Sequence, residues 1–392
     1  MIVTQKVKPV SKEIMEEVGF GWHTDDDGTP YIIPELIPVT SYEAEAYYEA
    51  GNAIYEMFVE AGQHVIDNNL FAELGIPENL IENIRMSWDD DDWHLYGRFD
   101  LAGGIDGQPI KLIEFNADTP TSLFETAIIQ WAILKANGLD EASQFNNVYE
   151  AIRDNFRRLI TEDDGIEKFV EYYNDEAILF SAVRDLPEDE QTTRLLEKMA
   201  QDAGFRTEFC YFDQVGFLEN EGVFNENEEH FKLWFKLWPW ENIGDDEPEL
   251  TDILRKIALN RKAVVINPAY TLMFQSKGIL KVLYDLFPDS PYLLATSDQP
   301  LEGIKQVEKP VFGREGENIT ILSEDGETEN SRDGEYDHHP KIYQEFVEFP
   351  KDEKGEIYQA GLFFAWEPCG LGFRRGDEIL DDMASFVGHI IE

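Results

Sequence analysis

Between Tyr96 and Asn116 the chain reads as a β-hairpin. Tyr96-Gly97-Arg98-Phe99-Asp100-Leu101 and Ile110-Lys111-Leu112-Ile113-Glu114-Phe115-Asn116 are β-type runs, and Gly103-Gly104-Ile105-Asp106-Gly107 between them is turn-rich. Residues two apart on a strand project to one face, so Arg98 goes with Asp100, and Glu114 with Asn116. Where two such strands pair, the faces can coincide, setting three oxygen-bearing side chains beside an arginine. A hard cation such as Mg²⁺ takes one or two carboxylates plus substrate phosphates, and this set suits that chemistry. The guanidinium suits bidentate binding of an oxyanion. An ordinary amphipathic hairpin with its polar face in water fits the same alternation. The next segment favours a site. Ala117-Asp118-Thr119-Pro120-Thr121-Ser122 precedes a helix expected over Leu123 to Asn137, and its short polar side chains and the helix-start amides form a cradle for a carboxylate.

The rest of the pattern is mixed α/β. Ser41 to Leu70 carries apolar residues near the 3.6 period of a helix. Glu176 to Ala182 reads as a buried strand, a helix follows around Thr192 to Ala203, and Thr207 to Phe212 reads as a second strand. That β-α-β order implies a parallel pair with a helical crossover. A third α/β stretch runs from Ala263 onward. No solenoid repeat or low-complexity linker separates these units.

Charge and composition exclude whole classes of function. With 32 basic against 80 acidic residues the net charge is −48, which repels phosphate backbones, so no nucleic-acid partner is expected. No apolar run reaches the ~18 residues of a membrane span, and the first residues lack a signal-peptide pattern; a soluble, cytoplasmic protein is the expectation. The acidic residues are spread along the chain, as for general solvation in a salty cytoplasm, although a polycationic substrate would gain from the same field. Asp25-Asp26-Asp27-Gly28 and Asp89-Asp90-Asp91-Asp92 lack the ligand spacing of a calcium loop and read as solvated loops. Two cysteines, Cys210 and Cys369, are too few for a disulfide framework or a cysteine-rich zinc site and sit in apolar, core-type runs.

Several weaker signals lie in the last third. Ser276-Lys277-Gly278 opens a helix expected over Ile279 to Phe287. Lys309 lies in an otherwise apolar strand, where an ammonium must either reach water or meet an anion. Gly313-Arg314-Glu315-Gly316 follows, a loop whose backbone N–H groups can approach phosphates, or a plain hairpin turn; it is neither a Walker nor a Rossmann loop. Gln344 and Glu345 are adjacent polar residues on an expected strand, suited to an adenine edge or to a surface. Arg374-Arg375-Gly376-Asp377 ends another apolar strand.

Together these phrases resemble the glutathionylspermidine synthase family, in its stand-alone ATP-grasp-like synthetase form. The resemblance runs from about His23 onward and rests on Arg98-Phe99-Asp100, Glu114-Phe115-Asn116-Ala117-Asp118-Thr119-Pro120-Thr121-Ser122, Phe235-Lys236-Leu237-Trp238-Pro239-Trp240-Glu241, Ser276-Lys277, Lys309 to Gly316, Tyr343-Gln344-Glu345-Phe346 and Gly370 to Arg374. It implies a permuted ATP-grasp-like fold with a pre-ATP-grasp-like βαβ unit: residues 1–145 with the metal-binding hairpin, 146–262 as the pre-ATP-grasp-like unit and 263–392 as the ATP-binding unit. It further implies Mg²⁺ at Asp100, Glu114 and Asn116, and a phosphate-contacting role for Arg98. ATP would lie against Lys277, Lys309, Arg314, Glu315, Gly316, Gln344, Glu345, Val347 and Arg374, and the acid substrate near Thr119, Thr121 and Ser122. The implied reaction joins a small-molecule or peptide carboxylate to an amine, glutathione and spermidine being the family's pair. The chain departs from the family in having no cysteine before Cys210, so amidase activity is not expected, in Gln275-Ser276-Lys277 where the family commonly has Ser-Asn-Lys, and in Gly313 where the family has serine. A non-catalytic nucleotide or peptide binder on the same scaffold, and a ligase acting on a peptide or protein carboxylate, are the rival readings.

Overall fold

In the computed structural model, which describes residues 1–24, 28–159, 177–381 and 383–392, the hairpin forms from Gly97–Ala102 and Lys111–Asn116. The strands pair antiparallel with Arg98 opposite Asn116 and Asp100 opposite Glu114, and a bulge follows Asp100. The polar residues therefore share one face. On the other, Phe99 and Phe115 stack at 4.0 Å and meet Phe58 of the long helix Ser41–Asn68. That helix opens with a reciprocal Thr40–Glu43 capping box and ends at Asn69, in the left-handed conformation. At Gly51 it lies so close to the sheet that a Cβ would come within 2.6 Å of the Pro368 side chain.

The hairpin is one end of a seven-stranded sheet ordered Gln5–Lys6, Ile32–Val39, Ser385–Ile391, Glu367–Gly376, Ile357–Ala365, Gly97–Ala102, Lys111–Asn116. All neighbours are antiparallel except the 385–391 and 32–39 strands. The expected β-α-β is present: Ala177–Ala182, the helix Pro187–Ala203 and Arg206–Tyr211, within a parallel four-stranded sheet that adds Leu233–Leu237 and Val264–Ile266. The 177–182 and 233–237 strands are buried throughout, as strands covered on both faces must be. A five-stranded antiparallel sheet follows, ordered Thr296–Ser297, Lys341–Glu345, Gln306–Pro310, Thr320–Leu322, Thr328–Ser331.

Three readings need correction. The stretch 263–392 is shared among three sheets: Val264–Ile266 joins the parallel sheet, the strands from Thr296 to Glu345 make the five-stranded sheet, and 357–391 returns to the hairpin, because those apolar strands find their buried partners there. The helix expected over 123–137 begins with a π-helical turn, Glu125–Ile129, before Gln130–Ala136. Polar side chains enter its backbone ladder there, the Thr126 hydroxyl donating to the Ser122 carbonyl and the Gln130 amide to the Thr126 carbonyl. Asp89 ends the helix Ile81–Asp89, and Asp90 is ion-paired with Arg261 rather than merely solvated. The Asp25-Asp26-Asp27 run and Glu176 lie outside the described residues. Both cysteines are buried and unbridged. Among the described residues no helix is long and apolar enough to cross a membrane.

Candidate active site

The polar face of the hairpin is the floor of two adjoining cavities, of about 140 and 290 Å³, which share Asp100, Glu114, Gly313, Arg314, Glu315 and Arg374. The first is walled by the five-stranded sheet. Val307, Lys309 and Gln344 share one face of that sheet through cross-strand pairing, and Lys277, Gly316, Glu345 and Val347 also line the cavity. The second holds Arg98, Asn116, Thr119, Thr121 and Ser122. All sixteen positions marked in the sequence thus lie on one or other of the two cavities.

Arg98 and Asp100 form a buried two-bonded pair, Nε to Oδ1 at 2.6 Å and Nη2 to Oδ2 at 3.0 Å. The guanidinium also donates to the Thr121 carbonyl at 2.7 Å, tying the strand to the cradle segment. Burial works against the charge on Arg98, but Asp100 more than compensates and holds the arginine's pKa above its ordinary value. Gln359, from the neighbouring strand, donates to Asp100 Oδ2 at 2.9 Å.

Glu114 sits among cations. Burial would raise its carboxyl, yet the ammonium groups of Lys277 and Lys309, with Arg98, outweigh burial and hold it at about 2. Lys277 Nζ lies 3.1 Å from Glu114 Oε2 and donates to the Gly313 carbonyl at 2.8 Å, so it links the hairpin to the glycine loop. Lys309 is buried and its Nζ is 3.4 Å from the Ile113 carbonyl. Burial pushes its pKa down to about 8 in spite of Glu114.

The loop carries its own latch. Arg314 ion-pairs with buried Glu241, whose second oxygen has no hydrogen-bond partner, on the helix Trp240–Asp246. Gly316 has φ +69°, and a Cβ there would run into the Leu380 carbonyl oxygen, so glycine is needed on both counts. Arg374 donates to the Asp381 carbonyl at 2.5 Å. Gln344 donates to the Leu112 carbonyl at 3.3 Å, while Glu345 accepts from the Ala295 N–H at 3.3 Å. Asp118 does not face the cavities; it is fully buried against Lys236 at 2.9 Å and accepts from the Trp240 N–H at 2.8 Å.

Asp100, Glu114 and Asn116 supply hard oxygen donors, the right chemistry for Mg²⁺. The carboxylate oxygens already accept from Arg98, Gln359, Lys277 and, at 3.5 Å, Asn116. Among the described residues no cluster of three His, Cys, Asp or Glu side chains is set to hold a metal. The set offers hard oxygen donors but no preformed metal shell of its own among the described residues.

The second cavity contains three residues that local sequence reasoning missed, Trp22, Tyr31 and Glu188, and also Gln275, which the sequence marks only as a departure from the family motif. Glu188, in the first turn of the 187–203 helix, is half-buried; burial, then Glu125 and Asp189, push its carboxyl up to about 8 against the pull of Arg374 and Arg98. Asp189 is likewise raised by burial, to about 6. The run Glu188-Asp189-Glu190 was the available signal, but acids in a first helical turn are usual and do not by themselves announce a site.

The family model described as glutathionylspermidine synthase preATP-grasp matches residues 2–392. A Haemophilus influenzae protein whose name provisionally assigns it acid–amine ligase activity is 27% identical over 384 residues, 94% of this chain and 93% of its own length. The bifunctional glutathionylspermidine synthetase/amidase of Escherichia coli is 26% identical over 87% of this chain, and the trypanothione synthetase of Crithidia fasciculata 24% identical over 86%. The chain spans about half the length of these two, 56% and 53%. A glutathione synthetase-like effector of Globodera pallida superimposes with a TM-score of 0.58, covering 98% of each chain at 9% identity, which is a likeness of fold.

Proposed function

From the premise that the chain belongs to the glutathionylspermidine synthase family, whose named members are C–N bond-forming ligases, we propose that it activates a carboxylate with ATP and joins it to an amine. The observation that carries this reading is the pair of cavities meeting over Asp100 and Glu114: the first lined by two lysines and the glycine loop, the second by Thr119, Thr121, Ser122 and Glu188, an acid whose carboxyl burial pushes up. Such a division suits a nucleotide on one side and an acid and amine on the other.

In the proposed reaction the γ-phosphate of ATP lies over the hairpin, near Lys277, Lys309, Arg314 and Arg374, with the base toward Gln344, Glu345 and Val347. Phosphoryl transfer depends mostly on positioning and charge neutralisation, which these side chains supply. Mg²⁺ bound by Asp100, Glu114 and Asn116 would supply further neutralisation of phosphate charge. The substrate carboxylate, held by Arg98 and by Thr119, Thr121 and Ser122, attacks the γ-phosphorus and ADP leaves. The resulting acyl phosphate is attacked by a neutral amine, and phosphate departs. Glu188, ionised only above the usual carboxylate range, takes the proton that the amine must lose. We read the five-stranded sheet as the ATP-grasp unit and the parallel sheet as the pre-ATP-grasp-like unit, in the permuted order. Glutathione, or another peptide, is the proposed acid and a polyamine such as spermidine the proposed amine, in a cytoplasmic setting.

The test is ADP release with Mg-ATP over a grid of carboxylates and amines, with product masses recorded. Turnover requiring both partners, with a product lighter than their sum by one water, establishes the ligase and names its substrates. ATP binding without turnover anywhere on the grid refutes it in favour of a nucleotide-binding role.

A further inference from the structure

A third cavity, of about 480 Å³, lies apart from the two above and shares no lining residue with them. Its wall is aromatic. Tyr55 of the long helix stacks on Phe364 at 4.1 Å, Trp88 packs edge-on to Tyr270 at 5.3 Å, and Trp93 stacks on Trp366 at 5.4 Å. Three of the polar tips are engaged with protein: Trp88 Nε1 donates to Gln63, Trp93 Nε1 to Asn155, and the Tyr55 hydroxyl meets His94 Nδ1. Beyond the faces that these stacked pairs cover, the wall offers the remaining ring surface, chiefly of Trp88 and Trp93, with the carboxylates of Glu56, Asp91 and Asp92 around it. His94, the one histidine on the wall, is held neutral, burial pushing it down to about 4. Arg158 has its guanidinium 4.5 Å from the Trp366 centroid, so that ring already engages one cation.

The position of Trp366 is the second, independent observation. It is the single residue between paired Ala365 and Glu367 in the tight turn joining the 357–365 and 367–376 strands, with φ +71°. Glycine takes that conformation freely, and a bulky aromatic residue rarely does. The residue is 47% exposed, so burial does not repay the backbone strain. The strain instead holds a large ring at the edge of an aromatic cavity.

We propose that this cavity binds an alkylated ammonium cation, the rings of Trp88, Trp93, Tyr55 and Trp366 receiving the methylated charge and Asp91 and Glu56 adding complementary negative charge. A soft cation with no N–H bonds to satisfy suits a wall of ring faces better than a metal ion, which would need oxygen ligands on several sides. The inference does not rest on the proposed ligase reaction, because a quaternary ammonium has no N–H to lose and cannot be acylated.

The experiment is saturation-transfer NMR on the whole chain with tetramethylammonium chloride, and with tert-butanol as the neutral ligand of similar shape. Tetramethylammonium should bind saturably and tert-butanol should not. Trp366→Gly, which suits the backbone at that position, should weaken binding roughly tenfold without lowering the melting temperature. Asp91→Asn should weaken it severalfold, and neither change should alter ADP release. Absence of saturable transfer, equal response to tert-butanol, or affinity unchanged in both variants overturns the proposal.

Discussion

Replacing Lys309 with methionine should make the protein more stable and its nucleotide affinity worse. At roughly 1.4 kcal/mol per pH unit, moving this ammonium from its ordinary 10.5 to about 8 means that folding at neutral pH carries a penalty of about 3 kcal/mol. Removing the charge while keeping the length should recover about 2–3 kcal/mol at pH 7. The sign with pH follows from a folded pKa lying below the unfolded one. The penalty is full below pH 8, shrinks as pH rises between 8 and 10.5, and vanishes above, so the stability gap between wild type and variant must close over that interval. A charge-assisted contact with phosphate is worth roughly 1.5–3 kcal/mol, which puts the loss of ATP affinity at about 10- to 150-fold. Urea denaturation at pH 7 and 9.5, and calorimetric titration with Mg-ATP, read both quantities. A variant that is less stable at pH 7, or a gap that does not change with pH, refutes the burial argument. An unchanged ATP affinity refutes the placement of nucleotide against the five-stranded sheet.

Three further outcomes are expected. Glu188→Gln should lower the turnover of amide formation by roughly 10²–10³-fold, leave ATP affinity within twofold of wild type as an order-of-magnitude bound, and remove a pH–rate limb near 8; a limb that survives assigns the proton to another group. Asp100→Ala should abolish ADP formation, since it removes a carboxylate from the hairpin and frees Arg98; a protein that merely binds nucleotide would show no catalytic change. Lys236→Met should destabilise by about 3–5 kcal/mol because it strands a buried carboxylate, and adding Asp118→Asn should restore most of the loss in thermal melts; no rescue would mean that the pair is not the source.

The hairpin was legible because its cues are local: period-2 alternation, a glycine-rich turn, and chemistry concentrated on residues two apart. The β-α-β unit was legible for the same reason, an apolar run buried on both faces being hard to mistake. What was not legible is distance in the chain. Gln359 and Asp100 meet because the 357–365 strand joins the hairpin, and nothing local to either announces that pairing. Glu188 enters the second cavity from a helix packed on another sheet, where an acidic first turn has a complete explanation in the helix dipole. The π-helical turn at 125–129 was hidden because its composition is that of an ordinary helix; side-chain bonds to the backbone decide it.

The order of the seven-stranded sheet has a consequence for how the chain is made. The 97–102 strand gains its second neighbour only when residues 357–365 exist, and the 32–39 strand waits for 385–391. During synthesis at roughly 5–20 residues per second, a ribosome must work for tens of seconds while Phe99, Leu101 and Leu36 lack the cover they finally have. Until those strands are made, the nascent chain presents apolar strand edges to its surroundings. The proposed metal and phosphate ligands of the hairpin therefore reach their final setting only after residues 357–365 have been made, and a chain cut short before them would leave the 97–102 strand with one neighbour instead of two.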